Sequence, residues 1–112
     1  MDVRVYEKPT CTTCRKLATL LTERGVDFEA VDYHVEPLTE DEIRALLRKA
    51  GVGPREVLRA KEPEYKALTG DESDDELIAL MAKHPALLQR PIVEVGDRAV
   101  LARPVERVLE LL

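Results

Sequence analysis

Cys11 and Cys14 stand in Pro9-Thr10-Cys11-Thr12-Thr13-Cys14-Arg15-Lys16, between the apolar run Val3-Arg4-Val5-Tyr6 and a helical pattern carried by Leu17, Leu20 and Leu21. Thiols at i and i+3 of a helix start can close a reversible disulfide. A cysteine at a helix N-terminus is also held toward its thiolate by unpaired amides and the macrodipole. These residues are therefore equipped for redox or nucleophilic thiol chemistry. Cys11 is expected to be the nucleophile, because Cys14 lies one turn inside the helix and should be less exposed.

Other uses of the pair fit less well. Structural zinc takes four ligands, and the remaining candidates, His34 and His84, lie far off in sequence without a paired spacing, so no metal site is expected. His84 falls in a loop after a helix and reads as structural. Thr10, Thr12 and Thr13 suit a turn and a helix start, and their backbone amides could also cradle an oxyanion.

The setting is bounded by size and charge. With 112 residues and 45% hydrophobic content, the chain is expected to form a single domain over residues 1–112. It shows no apolar run of membrane-spanning length and no charged-then-apolar leader, so no membrane association and a cytoplasmic location are expected. In a reducing cytosol, two cysteines read as catalytic, redox-sensing or metal-binding rather than as a staple. A net charge of −5 and 4% aromatic residues argue against direct nucleic-acid binding. Acidic residues crowd Glu36 to Glu42 and Asp71 to Glu76, while Arg55, Arg59, Arg90 and Arg103 lie in less acidic stretches near candidate loops. A local anion site is compatible with that distribution.

The elements that must position these groups follow from periodicity. Val3 to Tyr6 reads as a strand, Thr12 to Arg24 as a helix stopped at Gly25, and Val26 to Tyr33 as a second strand parallel to the first. Thr39 with Glu42 makes a capping box for a helix carrying Ile43, Leu46 and Leu47 up to Gly51. Pro54 to Ala60 predicts a short helix with Val57 and Leu58 inward, followed by an irregular link at Glu62-Pro63. Ser73 or Asp74 caps a further helix bearing Leu77, Ile78, Leu80 and Met81, which runs to His84-Pro85. Ile92 to Val95, the turn Gly96-Asp97 and Ala99 to Ala102 form a hairpin. A final helix opens with Pro104 and is expected to place Val105, Val108, Leu109 and Leu112 on one face. That single apolar face leaves nothing over for a partner, so a monomer is expected.

The order βαβ, a helical insertion at about 39–84, then ββα is that of an α/β, thioredoxin-like fold with a four-stranded mixed sheet. Particular residues carry a closer likeness. Tyr6, Pro9, Cys11 with Arg15, the segments Leu58-Arg59-Ala60-Lys61 and Glu64-Tyr65, His84 through Val93 with its Arg90-Pro91-Ile92-Val93 run, and Ala102-Arg103-Pro104 together resemble the ArsC family. This family includes glutaredoxin-linked arsenate reductases and Spx-type redox regulators of RNA polymerase.

The resemblance implies that Cys11 attacks arsenate while Arg59, Arg90 and Arg103 hold the oxyanion. Planar guanidinium forks suit such oxygens, and the same cations stabilise a thiolate. It also implies a cis Arg90-Pro91 bond, no tightly bound cofactor, and a thiol reductant, glutathione with glutaredoxin or thioredoxin. Two positions depart from the reductase pattern. Cys14 is shared with the Spx-type regulators, whose alternative function is to bind RNA polymerase and switch on Cys11–Cys14 oxidation. A general thiol-disulfide oxidoreductase is a further alternative. Glu7 stands where those reductases carry a histidine, and an inward carboxylate there is expected to raise the pKa of Cys11.

Overall fold

The structure, a computed structural model, describes residues 2–112. Val3–Glu7 (β1), Glu29–Asp32 (β2), Ile92–Val95 (β3) and Arg98–Leu101 (β4) form one sheet in the order β2-β1-β3-β4. β1 pairs with β2 in parallel, and with β3 antiparallel; β3 and β4 make an antiparallel hairpin. This is the mixed four-stranded, thioredoxin-like sheet that the element order predicts.

Helices cover both faces, and the strand residues alternate between them. Val3, Val5, Val93 and Val100 pack with Leu17 and Leu21 of Thr12–Glu23 (α1) and with Val108 and Leu111 near the C-terminus. Tyr6, Ile92 and Ala99 point the other way. They pack with Ile43, Leu46 and Leu47 of Glu40–Ala50 (α2) and with Leu77, Ile78 and Met81 of Asp74–Lys83 (α4). Both α2 and α4 begin in the capping boxes anticipated, Thr39 with Glu42 and Ser73 with Glu76. Gly51 ends α2 in the left-handed conformation, at φ 68°.

Several boundaries differ from the sequence reading. The second strand covers only Glu29–Asp32, because just four residues find partners on β1. The fourth begins at Arg98, which closes a two-residue Gly96-Asp97 turn against Val95. Pro54–Val57 is a 3₁₀ turn that stops short of Leu58, since Leu58 is extended and bridges Leu88. The link after Glu62 holds a single helical turn, Pro63–Lys66 (α3).

The C-terminal helix is also corrected. Pro104 is its cap rather than its first residue, and Val105–Leu111 is 3₁₀ rather than α. A three-residue period aligns Val105, Val108 and Leu111, so Leu111 is buried and Leu112, expected inward, is exposed. Among the described residues no helix is long and apolar enough to cross a membrane.

Candidate active site

The loop Lys8–Cys11 joins β1 to α1, and its shape follows from Pro9. The Cys11 amide donates to the Lys8 carbonyl at 2.9 Å, closing a tight turn around Pro9-Thr10. Cys11 is then extended (φ −77°, ψ 125°) and occupies the N-cap of α1, where its Sγ accepts from the Cys14 amide at 3.5 Å. The sulfur thus stands where a serine or aspartate oxygen usually caps a helix. Burial pushes the Cys11 thiol up, but the amides of Cys14 and Thr13, the Cys14 thiol and the Arg90 charge outweigh it. The net pKa lies below the ordinary thiol value.

Cys14 behaves oppositely. It has no exposed surface, and burial, with lesser contributions from Cys11 and Glu7 and some relief from the Lys8 backbone, pushes its thiol up to about 12. The expected effect of Glu7 therefore falls elsewhere. Cys11 is acidified rather than weakened, and it is Cys14 whose proton the Glu7 carboxylate helps to retain.

Three distant segments bring the arginines to this cysteine. Leu58 and Leu88 form an antiparallel bridge, reinforced by Arg59 N donating to Leu87 O at 2.7 Å and Gln89 N to Val57 O at 2.8 Å. Gln89 Nε2 donates to Leu58 O at 3.1 Å, and the buried Tyr33 hydroxyl donates to Leu88 O at 2.6 Å. Arg59 and Arg90 are thereby fixed relative to one another. Arg103 joins them by donating from Nη1 to the Arg90 carbonyl at 2.8 Å. Both Arg90-Pro91, as the resemblance implies, and Arg103-Pro104 are cis.

The result is a cleft of about 360 Å³ lined by Thr10, Cys11, Thr12 and Thr13 on one side and Arg59, Arg90 and Arg103 on the other. Lys8 adds a fourth cation, and among the described residues no carboxylate lines it. Cys14 lies beneath the cleft rather than in its wall. Arg59 pairs through Nε with Glu62 at 2.9 Å. Arg90 is only 4% exposed, and its Nε and Nη1 have no hydrogen-bond partner among the described residues. A larger hollow of about 590 Å³ beside Arg4, Asp27, Glu29, Lys49 and Glu94 contains no nucleophile. Its charges largely satisfy one another, with Lys49 to Glu94 at 2.6 Å and Arg4 to Glu29 at 3.3 Å.

Lys8, Tyr33 and Glu62 were not singled out by the sequence reading. Lys8, immediately before Pro9, was recoverable as a cation flanking the cysteine turn. Tyr33 and Glu62 had no local signal, since their partners are set by the 57–59 and 87–89 pairing. The ring of His34 lies 4.7 Å from that of its chain neighbour Tyr33, tilted by 40°. Burial first, then the charges of Arg90 and Lys8, lower its pKa and keep it neutral near pH 7.

A mixed sheet with an acidified cysteine capping the first helix defines a thioredoxin-like thiol protein, here with guanidinium groups lining the cleft beside it. The chain belongs to the ArsC family, which it matches over residues 6–111. It is 34% identical to an arsenate reductase of Neisseria meningitidis, with 96% of this chain and 95% of that protein covered. It is 38% identical to the uncharacterized protein YfgD of Escherichia coli, over 98% and 96% of the two chains. Its fold superposes on an arsenate reductase from Vibrio cholerae with a TM-score of 0.95 and 36% identity, covering 100% of this chain and 98% of that one.

Proposed function

We propose that this chain reduces arsenate to arsenite, with the Cys11 thiolate as nucleophile and Arg59, Arg90 and Arg103 as oxyanion ligands. The observation that carries this reading is Arg90, a nearly buried guanidinium with two nitrogens unpartnered, in the wall of the cleft that holds Cys11. An unpaired buried cation is costly, and an oxyanion supplies what it lacks. The relatives named as arsenate reductases support the same substrate class.

The Cys11 thiolate attacks arsenic, and water departs with an added proton, leaving a Cys11–S–As(V) adduct. Arg59, Arg90 and Arg103, with the amides near Thr12 and Thr13, balance its negative oxygens. Cys14, or glutathione, then attacks the Cys11 sulfur. The S–As bond breaks with its electron pair on arsenic, which leaves as As(III), while two thiols become one disulfide. Thioredoxin or glutaredoxin restores the thiols by exchange.

Purified protein, arsenate, and a thioredoxin or glutathione–glutaredoxin system coupled to NADPH oxidation test the proposal. Arsenate-dependent NADPH consumption that Cys11→Ser abolishes is expected. No arsenate-dependent consumption, with RNA polymerase retained on the immobilised protein, would overturn it in favour of an Spx-type regulator.

A further inference from the structure

Glu7 occupies a position with no role in the chemistry above, and its placement suggests one. β1 sends Val3 and Val5 into the cluster beneath α1 and Tyr6 to the opposite face. By the same alternation, the next residue on the α1 side is Glu7. α1 presents Cys14, Leu17 and Leu21 on its buried face. It follows β1 in a parallel crossover, so its axis runs back along the strand. Leu21 therefore lies toward the start of β1, and Cys14 toward its end, where Glu7 sits. Glu7 is half-buried there.

We propose that Glu7 is the proton acceptor for Cys14 when that thiol attacks the Cys11 sulfur. This rests on the reading that Cys14 is the resolving thiol. A buried thiol that holds its proton as tightly as Cys14 cannot attack as a preformed thiolate near neutral pH, so its proton must pass to a neighbour during the attack. The groups that act on Cys14 are the Lys8 backbone, Cys11 and Glu7, and Tyr33 lies close by. Cys11 is the sulfur under attack, Tyr33 keeps its own proton in a 2.6 Å bond to Leu88 O, and the backbone of Lys8 is no base. Arg90, entering β3, is a cation. Asp32 is the cross-strand partner of Glu7 on β2, and its side chain accepts from the His34 amide at 3.0 Å. Burial, followed by the Asp32 charge, raises the proton affinity of Glu7, which strengthens it as a base. The step is balanced: the Cys14 proton goes to the Glu7 carboxylate, the S–S bond forms, and the group on Cys11 leaves with the electron pair of its bond to sulfur.

Rapid mixing of the full chain with one equivalent of a nitrobenzoate disulfide reads this step without arsenate. Cys11 releases a first coloured thiolate, and attack by Cys14 on the resulting mixed disulfide releases a second. In the wild type the second release is expected to rise with pH through a single titration and then level off. Glu7→Gln should slow it about 100-fold at pH 7 and remove that titration, and Glu7→Asp should recover part of the rate. A role for Glu7 as a mere charge predicts the opposite sign. Its removal would make Cys14 more acidic, so a second release in Glu7→Gln as fast as wild type or faster overturns the proposal. Should Glu7→Gln not fold, a wild-type second release lacking the single titration overturns it equally. Cys14→Ser must show the first release alone. A second release from that variant would instead sink the resolving role of Cys14, and the proposal with it.

Discussion

Arg103 Nη1 donates to the carbonyl oxygen of Arg90 at 2.8 Å, so two cations of the cleft are tied through a backbone atom. The bond spans thirteen residues and couples the entrance of β3 to the segment after β4. Because a carbonyl rather than a side chain is gripped, Nε and Nη1 of the Arg90 guanidinium remain without a hydrogen-bond partner among the described residues.

Arg103→Ala should weaken oxyanion binding in two ways, by removing a donor and by releasing the Arg90 carbonyl. A charged hydrogen bond is worth about 1.5–3 kcal/mol, so the arsenate KM should rise roughly tenfold or more. Arg103→Lys should recover only part of that, since an ammonium lacks the fork. Steady-state kinetics of both variants, compared with wild type, check this.

Arg90→Met should separate stability from binding. With its Nε and Nη1 unpartnered, Arg90 costs the unliganded protein roughly 1–3 kcal/mol, so the variant should melt no lower than wild type. Added arsenate, phosphate or sulfate should raise the wild-type Tm and leave that of Arg90→Met unmoved. Thermal scans with and without each anion are the measurement.

Alkylation should distinguish the two thiols. Cys11, whose pKa is lowered, should react with iodoacetamide with a midpoint below the ordinary thiol value of about 8.5. Cys14 should stay unlabelled until the chain unfolds, as mass spectrometry of the peptides would show. The same groups predict a pH dependence of stability. Cys14, raised to about 12, contributes stability that is complete below its unfolded value and lost as pH climbs toward 12. Cys14→Ala should therefore lose less stability than wild type between pH 8.5 and pH 11.

Tyr33→Phe removes one hydroxyl and keeps the ring. The Leu88 carbonyl loses a buried donor at 2.6 Å, which should cost about 1–2 kcal/mol of stability by denaturant titration. Because Leu88 lies two residues before Arg90, the arsenate KM should rise as well. An unchanged KM with lowered stability would show that the hydroxyl serves packing alone.

The regular elements were legible because their signals are local. The capping boxes at Thr39 and Ser73 and the apolar faces of α2 and α4 appear in the structure where the spacing put them. At the C-terminus Val105, Val108, Leu109 and Leu112 fit a 3.6-residue period in sequence, whereas the folded chain takes a 3.0-residue one that buries Leu111 and leaves Leu112 exposed. The local pattern places Leu58 in a helix, but its bridge to Leu88, thirty residues away in the chain, holds it extended.

For the cleft, the division is sharper. The sequence by itself determined that Cys11 caps a helix after a proline turn, since Pro9 and the leucine pattern of α1 act within a few residues. It also supplied the arginines and, through the family resemblance, their names. Only the tertiary structure decided that Arg59, Arg90 and Arg103 line one cleft with Cys11, and that Arg90 is buried there without a partner. The tertiary structure likewise directs the influence of Glu7 to Cys14 while Cys11 is acidified. Those outcomes depend on strand register, on the bridge between Leu58 and Leu88, and on which face of β1 each side chain takes. Such pairings join residues that sequence separation leaves independent.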